Sequence, residues 1–114
     1  MNPIPEYFVI GKALAQARQV GTAEVALEST VITHGLPRPD NLKLAREMEA
    51  TVRAEGAMPA TIGLLDGKIH VGLSEAELER LAGLADTRKI SLRDIGIALA
   101  EGISGGTTVA ATLF

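Results

Sequence analysis

The spacing of apolar residues changes along the chain, and these changes divide it into helices and strands. Between residues 7 and 19 the apolar residues recur at helical spacing and Gly21 follows as a C-cap, which predicts a helix packed beside the domain. The next apolar run, residues 25–35, is rich in β-branched and aliphatic side chains and leads to Pro37 and Pro39. This run predicts a buried strand that continues into a loop.

A second helix is predicted from an N-cap at Asp40 or Asn41 to Glu55, ended by Gly56. Its apolar residues form a narrow stripe, and the charged residues are expected to cover the opposite, solvent side. Those charged residues are Lys43, Arg46, Glu47, Glu49 and Arg53.

A β-hairpin is predicted where Asp66-Gly67 separates the apolar strand Ala60–Leu65 from the segment Lys68–Val71. Asp-Gly between two such segments is typical of a two-residue turn, because both residues accept a positive φ. Alternation in the second strand places His70 on its solvent face, so no role is assigned to this histidine.

The last third of the chain contains two helix-start signals, Ser74-x-x-Glu77 and Ser91-x-x-Asp94. A brief strand or extended segment is predicted at Lys89–Ser91, before the second signal. Residues 104–108 predict a glycine-rich turn that opens a last helix. Because strands alternate with helices and one hairpin is present, the expected fold class is α/β, with α and β layers around a mixed sheet.

The chain of 114 residues has the size of one small domain, and its last residues, 107–114, form an apolar segment that stops without a cap. We therefore expect a truncated part of a larger domain. We divide it into an N-terminal helix, residues 1–22, and the N-terminal part of the main domain, residues 23–114.

Composition excludes several classes of protein. Apolar residues make up 46% and charged residues 22%, which is typical of a globular chain. The net charge is −3 without a basic cluster, so neither nucleic acid nor an acidic membrane surface is an expected partner. There is no cysteine, no signal-peptide pattern and no apolar run of membrane-spanning length, and a cytoplasmic location is the default expectation.

Glu28 is the residue that fits its surroundings least. It interrupts the apolar run, and a carboxylate in a buried strand is costly unless it is paired, hydrogen-bonded or protonated. It is therefore a candidate for acid–base chemistry, although a carboxylate at the strand's end that bonds nearby backbone groups fits the pattern equally well. His34, in the loop that follows, could contact substrate or simply satisfy backbone groups.

Two further candidates concern phosphate. Gly105-Gly106-Thr107-Thr108 precedes a predicted helix, whose free N–H groups favour an anion, but a plain turn with threonine as N-cap is also consistent. Lys89 could reach a phosphate as a point charge or could be an ordinary surface lysine. No recognisable ligand spacing supports a metal site built from this chain alone.

Several stretches of the chain, taken together, resemble one family. Residues 26–41, ALESTVITHGLPRPDN, are similar to the signature of pseudouridine-5′-phosphate glycosidases, also called pseudouridylate synthases. Further similar stretches follow in the family's order: GAMPATI at 56–62, VGLS at 71–74, KISLRD at 89–94 and GGTTVA at 105–110. The resemblance covers residues 24–114, whereas the N-terminal helix resembles the family loosely.

The resemblance implies an α/β/α fold and reversible cleavage of the C–C glycosidic bond of pseudouridine 5′-phosphate, giving uracil and ribose 5-phosphate. It implies a homotrimer and a divalent metal, typically manganese. By motif, Glu28 would be the general acid/base, while Lys89 and Thr108, with the backbone of Val109, would hold the sugar phosphate. His34, a polar loop residue close in sequence to Glu28, is assigned to substrate binding.

The chain also departs from the family pattern. Leu36 and Arg38 stand where methionine and an aromatic residue are expected. The family's Schiff-base lysine and its metal-binding aspartate lie beyond Phe114, so the chain resembles roughly the N-terminal third of such an enzyme. The isolated chain is therefore expected to be inactive. The alternative is a non-catalytic sugar-phosphate-binding α/β module.

Overall fold

The computed structural model describes residues 3–114. Its strands form a six-stranded mixed sheet in the order β1-β4-β3-β6-β5, with β2 beside the first half of β3. The strands are β1 Phe8–Ile10, β2 Glu24–Leu27, β3 Met58–Leu65, β4 Lys68–Val71, β5 Arg88–Ile90 and β6 Gly105–Thr107. The helices are α1 Lys12–Gln19, α2 Asp40–Ala54, α3 Glu75–Gly83, α4 Ile95–Glu101 and α5 Val109–Thr112.

Strand β3 is the centre of the sheet, and its side chains divide the core into two clusters. Ile62 and Leu64 pack with α4 and α5 on one face. Leu65 packs with α2 and α3 on the other. Because successive side chains of a strand point to opposite faces, helices cover both sides of the sheet. The predicted α/β/α layering is confirmed.

The hairpin between β3 and β4 is also confirmed. Asp66 and Gly67 both have positive φ, 52° and 74°, and the flanking strands pair antiparallel with Leu65 opposite Lys68. His70, however, was wrongly placed on a solvent face, since its side chain is 13% exposed and its Nδ1 lies 3.0 Å from Glu77 Oε2. The start of α3 folds over this strand and covers the histidine.

The predicted helix of residues 7–19 is wrong in its first part. Phe8–Ile10 forms a strand parallel to β4, and the helix begins at Lys12. An aromatic and two β-branched residues favour a strand, and Gly11 separates it from the helix. Gly11 donates its N–H to Val71 O at 2.9 Å, so the backbone remains tied to β4 up to the helix start.

The strand predicted from Val25 up to a loop at Thr33 is shorter than expected and is not buried. Strand β2 covers Glu24–Leu27 and is largely exposed, with Val25 40% exposed. Val31–Gly35 forms a π-helical turn. The spacing of apolar residues did not predict this turn, because a continuous apolar run is produced both by a buried strand and by a short buried helical turn.

The glycine-rich segment was wrongly predicted as a turn, because residues 105–107 form the buried strand β6 between β3 and β5. Glycine is required here by close backbone approach: a Cβ on Gly105 would lie 2.1 Å from Arg88 O. The helix that follows, α5, has only four residues.

Helix α2 departs from its predicted polar face at one position. Glu49 is 6% exposed, and its Oε2 accepts a hydrogen bond from the Thr61 hydroxyl at 2.6 Å. Glu49 Oε1 accepts from Arg53 at 3.3 Å, so the carboxylate is partnered inside the fold. The predicted N-cap is also corrected, because Asp40 is the first helical residue and Pro39 precedes it without a side-chain cap.

Both predicted helix-start signals are present. In α3, Ser74 Oγ accepts from the Glu77 N–H, and Glu77 accepts from the Ser74 N–H at 2.8 Å. Before α4, the Asp94 carboxylate accepts from the Ser91 N–H and hydroxyl at 2.9 and 2.6 Å. None of the helices within residues 3–114 combines the length and the apolar character that a membrane span needs.

Candidate functional site

The carboxyl ends of β2 and β6 meet at the middle of β3. Strand β2 runs parallel to β3 and ends with Leu27 opposite Thr61. Strand β6 runs antiparallel to β3, with Gly63 opposite Gly106. The two strands therefore approach from opposite directions along one edge of β3, and β5 lies beside β6. We call this meeting point the strand junction.

Glu28 lies at the strand junction, directly after β2. Its side chain is half-buried, and Oε2 accepts a hydrogen bond from the Thr30 N–H at 2.8 Å. This contact is the local backbone hydrogen bond expected of a carboxylate at a strand's end. It fixes one carboxylate oxygen at the start of the π-helical turn and leaves Oε1 free of any hydrogen bond within residues 3–114.

The π-helical turn after Glu28 is held by Asn41 of α2. The Asn41 amide is buried, and its Nδ2 donates to Ile32 O and Ala82 O, each at 3.0 Å. Its Oδ1 accepts from the Leu42 N–H at 2.8 Å. Asn41 thus joins the π-helical turn to the end of α3.

His34 projects from the π-helical turn into a cleft of about 460 Å³ that it shares with Lys89. Both residues are exposed, and the Thr33 hydroxyl lies 2.7 Å from His34 Nδ1. Arg88 and Asp94 also line the cleft, while the rest of the wall is largely apolar. An anionic ligand needs hydrogen-bond donors, and the cleft offers them from the side chains of Arg88, Lys89 and His34.

Asp94 adds one negative charge to this cleft. The hydrogen bonds from the Ser91 hydroxyl and N–H lower the pKa of Asp94 below its usual range, and the nearby Arg93 and Arg88 act in the same direction. The carboxylate is therefore ionised at neutral pH. Asp94 Oδ2 accepts both hydrogen bonds from Ser91, so the carboxylate caps the start of the helix.

Thr108 and Val109 lie at the end of β6, next to Ile90 of β5. The Thr108 N–H donates to Ile90 O at 3.0 Å, and the Thr108 hydroxyl accepts from the Ala111 N–H at 3.2 Å. Thr108 is therefore the N-cap of α5. A threonine N-cap was one of the two alternatives for the glycine-rich segment. Val109 is 64% exposed.

The predicted site residues fall into two neighbouring groups. His34 and Lys89 meet in the cleft, whereas Glu28 and Thr108 flank the strand junction and do not line that cleft. Ser29, which joins the two strand ends at the junction, was not among the predicted site residues. The sequence shows only a small polar residue in an apolar run, and its burial and its contact with Thr107 are visible in the fold alone.

Residues 3–114 hold no cluster of three or more histidine, cysteine, aspartate or glutamate side chains placed to bind a metal ion. Asp94 and His34 line one cleft without a third such group beside them. The part of the chain that the structure describes therefore does not supply a complete metal site by itself.

The fold and this site define an α/β protein whose polar residues converge at the ends of three strands. Residues 12–114 match the family described as indigoidine synthase A like protein, and the chain belongs to that family.

Its relatives include proteins named pseudouridine-5′-phosphate glycosidase. The one from Salinispora tropica is 57% identical over 102 residues, covering 90% of this chain and 32% of the relative. The one from Dinoroseobacter shibae is 48% identical over 113 residues, covering 99% of this chain and 37% of the relative. This chain therefore spans about a third of the length of these relatives.

Solved structures agree with the fold. An indigoidine synthase A-like protein from Thermotoga maritima matches with a TM-score of 0.81 and 36% identity, covering 100% of this chain and 37% of that one. The prealnumycin C-glycosynthase AlnA, solved with ribulose 5-phosphate, matches with a TM-score of 0.81 and 41% identity over 96% of this chain and 35% of that one.

Proposed function

We propose that this chain is the part of a pseudouridine-5′-phosphate glycosidase that supplies the proton-transfer carboxylate and contacts to the sugar phosphate. The whole enzyme would cleave the C–C glycosidic bond of pseudouridine 5′-phosphate reversibly, giving uracil and ribose 5-phosphate. The observation that carries this proposal is the strand junction, which places Glu28 and Thr108 on two strand ends joined by hydrogen bonds. The names of the relatives support it.

Glu28 is proposed as the general acid/base. A C–C bond to a pyrimidine has no leaving oxygen to protonate, so the sugar must be opened and protons must be moved between carbon and oxygen positions. A carboxyl group can carry these protons if it is held in one position. The hydrogen bond from the Thr30 N–H to Oε2 provides that restraint and leaves Oε1 available for proton transfer.

The sugar phosphate is proposed to contact Lys89, Thr108 and the backbone of Val109. His34 is also proposed to contact the substrate. Lys89 and His34 share a cleft with Arg88, and this positive charge favours a phosphate group. Lys89 is paired with Gly106 in the β5–β6 register, so its strand delivers it close to the end that carries Thr108. A pentose phosphate in the related AlnA structure supports the same class of ligand.

We further propose that the nucleophilic lysine and a divalent metal, manganese by family resemblance, belong to a longer protein. The described residues do not provide a complete metal site, so the metal would need ligands from the longer protein. The isolated chain is accordingly proposed to be inactive. The complete protein is proposed to act in the cytoplasm as a homotrimer on small-molecule substrates.

Uracil release from pseudouridine 5′-phosphate with manganese tests the proposal. The assay compares this chain with the longest product that its gene encodes. Release by the longer product alone is expected. Release by this chain would contradict its inactivity, and release by neither would contradict the enzyme proposal. In that last case, ribose 5-phosphate binding without turnover would favour a sugar-phosphate-binding module.

A further inference from the structure

Ser29 joins the ends of β2 and β6 at the strand junction through hydrogen bonds with Thr107. Its side chain is 0% exposed, its N–H donates to Thr107 O at 3.1 Å, and its Oγ accepts from the Thr107 N–H at 2.8 Å. Ser29 therefore satisfies both backbone groups of Thr107. A buried pair of this kind is expensive to break, because each unpaired polar group would lose its partner without gaining water.

The partner residue is itself fixed from other directions. The Thr107 hydroxyl donates to Ile62 O at 3.0 Å and lies 2.8 Å from the Thr112 hydroxyl. These contacts tie the end of β6 to the middle of β3 and to α5. Through Thr107, Ser29 is thus connected to β3, the central strand of the sheet.

The surrounding space leaves little freedom for Ser29 to shift. A Cβ on Gly106 would lie 2.6 Å from Ser29 O, so the two backbones are in direct contact there. A Cβ on Gly63, which pairs with Gly106 across β3 and β6, would lie 3.4 Å from Ser29 Oγ. The serine therefore lies against two paired glycines on one face of the sheet, and a larger or displaced side chain would meet their backbone.

The two residues joined by this contact each adjoin a proposed site residue. Ser29 follows Glu28 directly, and Thr107 precedes Thr108 directly. Ser29 and Thr107 are both buried, at 0% and 2% exposure, and hydrogen bonds join them to each other. Both are therefore suited to hold the neighbouring site residues in place.

We propose that Ser29 is a positioning residue that fixes the acid/base Glu28 relative to the sugar-phosphate contact Thr108. This inference rests on the proposed function. Because a proton donor misplaced by a fraction of an ångström reacts slowly although substrate still binds, loss of the Ser29 hydroxyl should lower kcat more than it raises KM.

The test replaces Ser29 by alanine in the longest gene product that releases uracil. The matched control is Ser104→Ala, because Ser104 Oγ also accepts a backbone N–H, that of Asp66 at 2.9 Å, but at the other end of β6. We expect kcat for Ser29→Ala to fall roughly 10- to 100-fold with KM within about 3-fold, the range expected for a misplaced catalytic group. Ser104→Ala should keep both constants within about 2-fold, since it is remote from the junction.

The outcomes separate the two proposals. An inactive wild-type protein would overturn the proposed function and this inference with it. An active wild type with an unchanged kcat in Ser29→Ala would overturn the positioning role alone, as would a rise in KM without loss of kcat. If the alanine variant does not fold, Ser29→Cys replaces it, because a thiol fills the space but is a weak acceptor. It should lower kcat at least about 3-fold, by the same loss of positioning.

Discussion

At the scale of single residues, the surroundings of Glu28 agree with two roles at once. Its hydrogen bond with the Thr30 N–H is what a structural carboxylate would make, and it is also what would hold a general acid/base in place. Substitution separates the two roles, because loss of a structural hydrogen bond lowers stability whereas loss of a proton-transfer group lowers turnover.

Glu28→Gln is expected to abolish measurable turnover in the longest gene product, a loss of about 100-fold or more in kcat, because the amide accepts the Thr30 hydrogen bond but cannot shuttle a proton. The unfolding midpoint should change little. Exposed Glu47, on α2, provides the matched control as Glu47→Gln, which should keep full activity. Full activity in Glu28→Gln would remove Glu28 from the mechanism.

Glu77 provides a prediction about pH. Burial acts to raise the pKa of Glu77, but hydrogen bonds from the Ser74 N–H and hydroxyl and the proximity of His70 outweigh it, so the pKa is lowered. A carboxyl group whose pKa is lower in the folded state stabilises the fold above its unfolded pKa of about 4.3 and loses this contribution as the pH falls through the folded value.

Urea unfolding between pH 7 and pH 3 measures this effect. The wild-type chain should lose more stability over that range than Glu77→Gln, because the amide keeps the hydrogen bond to the Ser74 N–H and does not titrate. Removing the other half of the cap by Ser74→Ala should cost about 1 kcal/mol at pH 7. Equal pH dependence in wild type and Glu77→Gln would contradict the assignment.

Among the secondary-structure features, those that depend on a few neighbouring residues were predicted correctly from the sequence. The Asp66-Gly67 turn and the cap at Ser74 depend on a few neighbouring residues, and both were predicted correctly. Strand β6 and the π-helical turn could not be predicted in this way, because they depend on contacts between segments far apart in sequence. Gly106 is the clearest case, since a glycine that signals a turn locally is needed here for contact with Ser29.

The same distinction applies to the site. The motif residues could be chosen from the sequence through resemblance, but the connection between Ser29 and Thr107 spans 78 residues and follows only from the fold. Glu49 was wrongly predicted to face solvent for a similar reason. Helical periodicity shows which face of α2 carries a charged residue, but it does not show that Thr61 of β3 lies beside Glu49 and donates a hydrogen bond to it.

Gly106→Ala tests the close contact at the junction. A Cβ there would lie 2.4 Å from Thr33 Oγ1 and 2.6 Å from Ser29 O, and the latter is backbone that cannot rotate away. We expect a loss of about 3 kcal/mol in the free energy of unfolding, at the upper end for overpacking. Gly96→Ala is the control, because its Cβ would meet nothing within 4 Å in α4. Equal stability of the two variants would show that the junction can open.

At the scale of the whole molecule, the sheet and its helices leave large apolar side chains uncovered. Leu113 and Phe114 are 79% and 67% exposed, and Ile97, Leu92 and Val109 are each more than half exposed. Exposed apolar residues promote association when they are numerous, and one edge of β2, which pairs with no strand within residues 3–114, adds unpaired backbone groups. We therefore expect the isolated chain to self-associate.

Sedimentation velocity over a range of protein concentrations tests this expectation. Replacing Leu113 and Phe114 together by lysine should shift the distribution toward monomer with little change in stability, because both side chains are mostly solvated. Lysines at exposed Ala100 and Ala110 add the same charge without removing a large apolar group, so they separate charge repulsion from lost apolar contact. A wild-type chain that sediments as a monomer and melts sharply and reversibly would contradict the prediction, and it would mean that the covered core is sufficient for an independent fold.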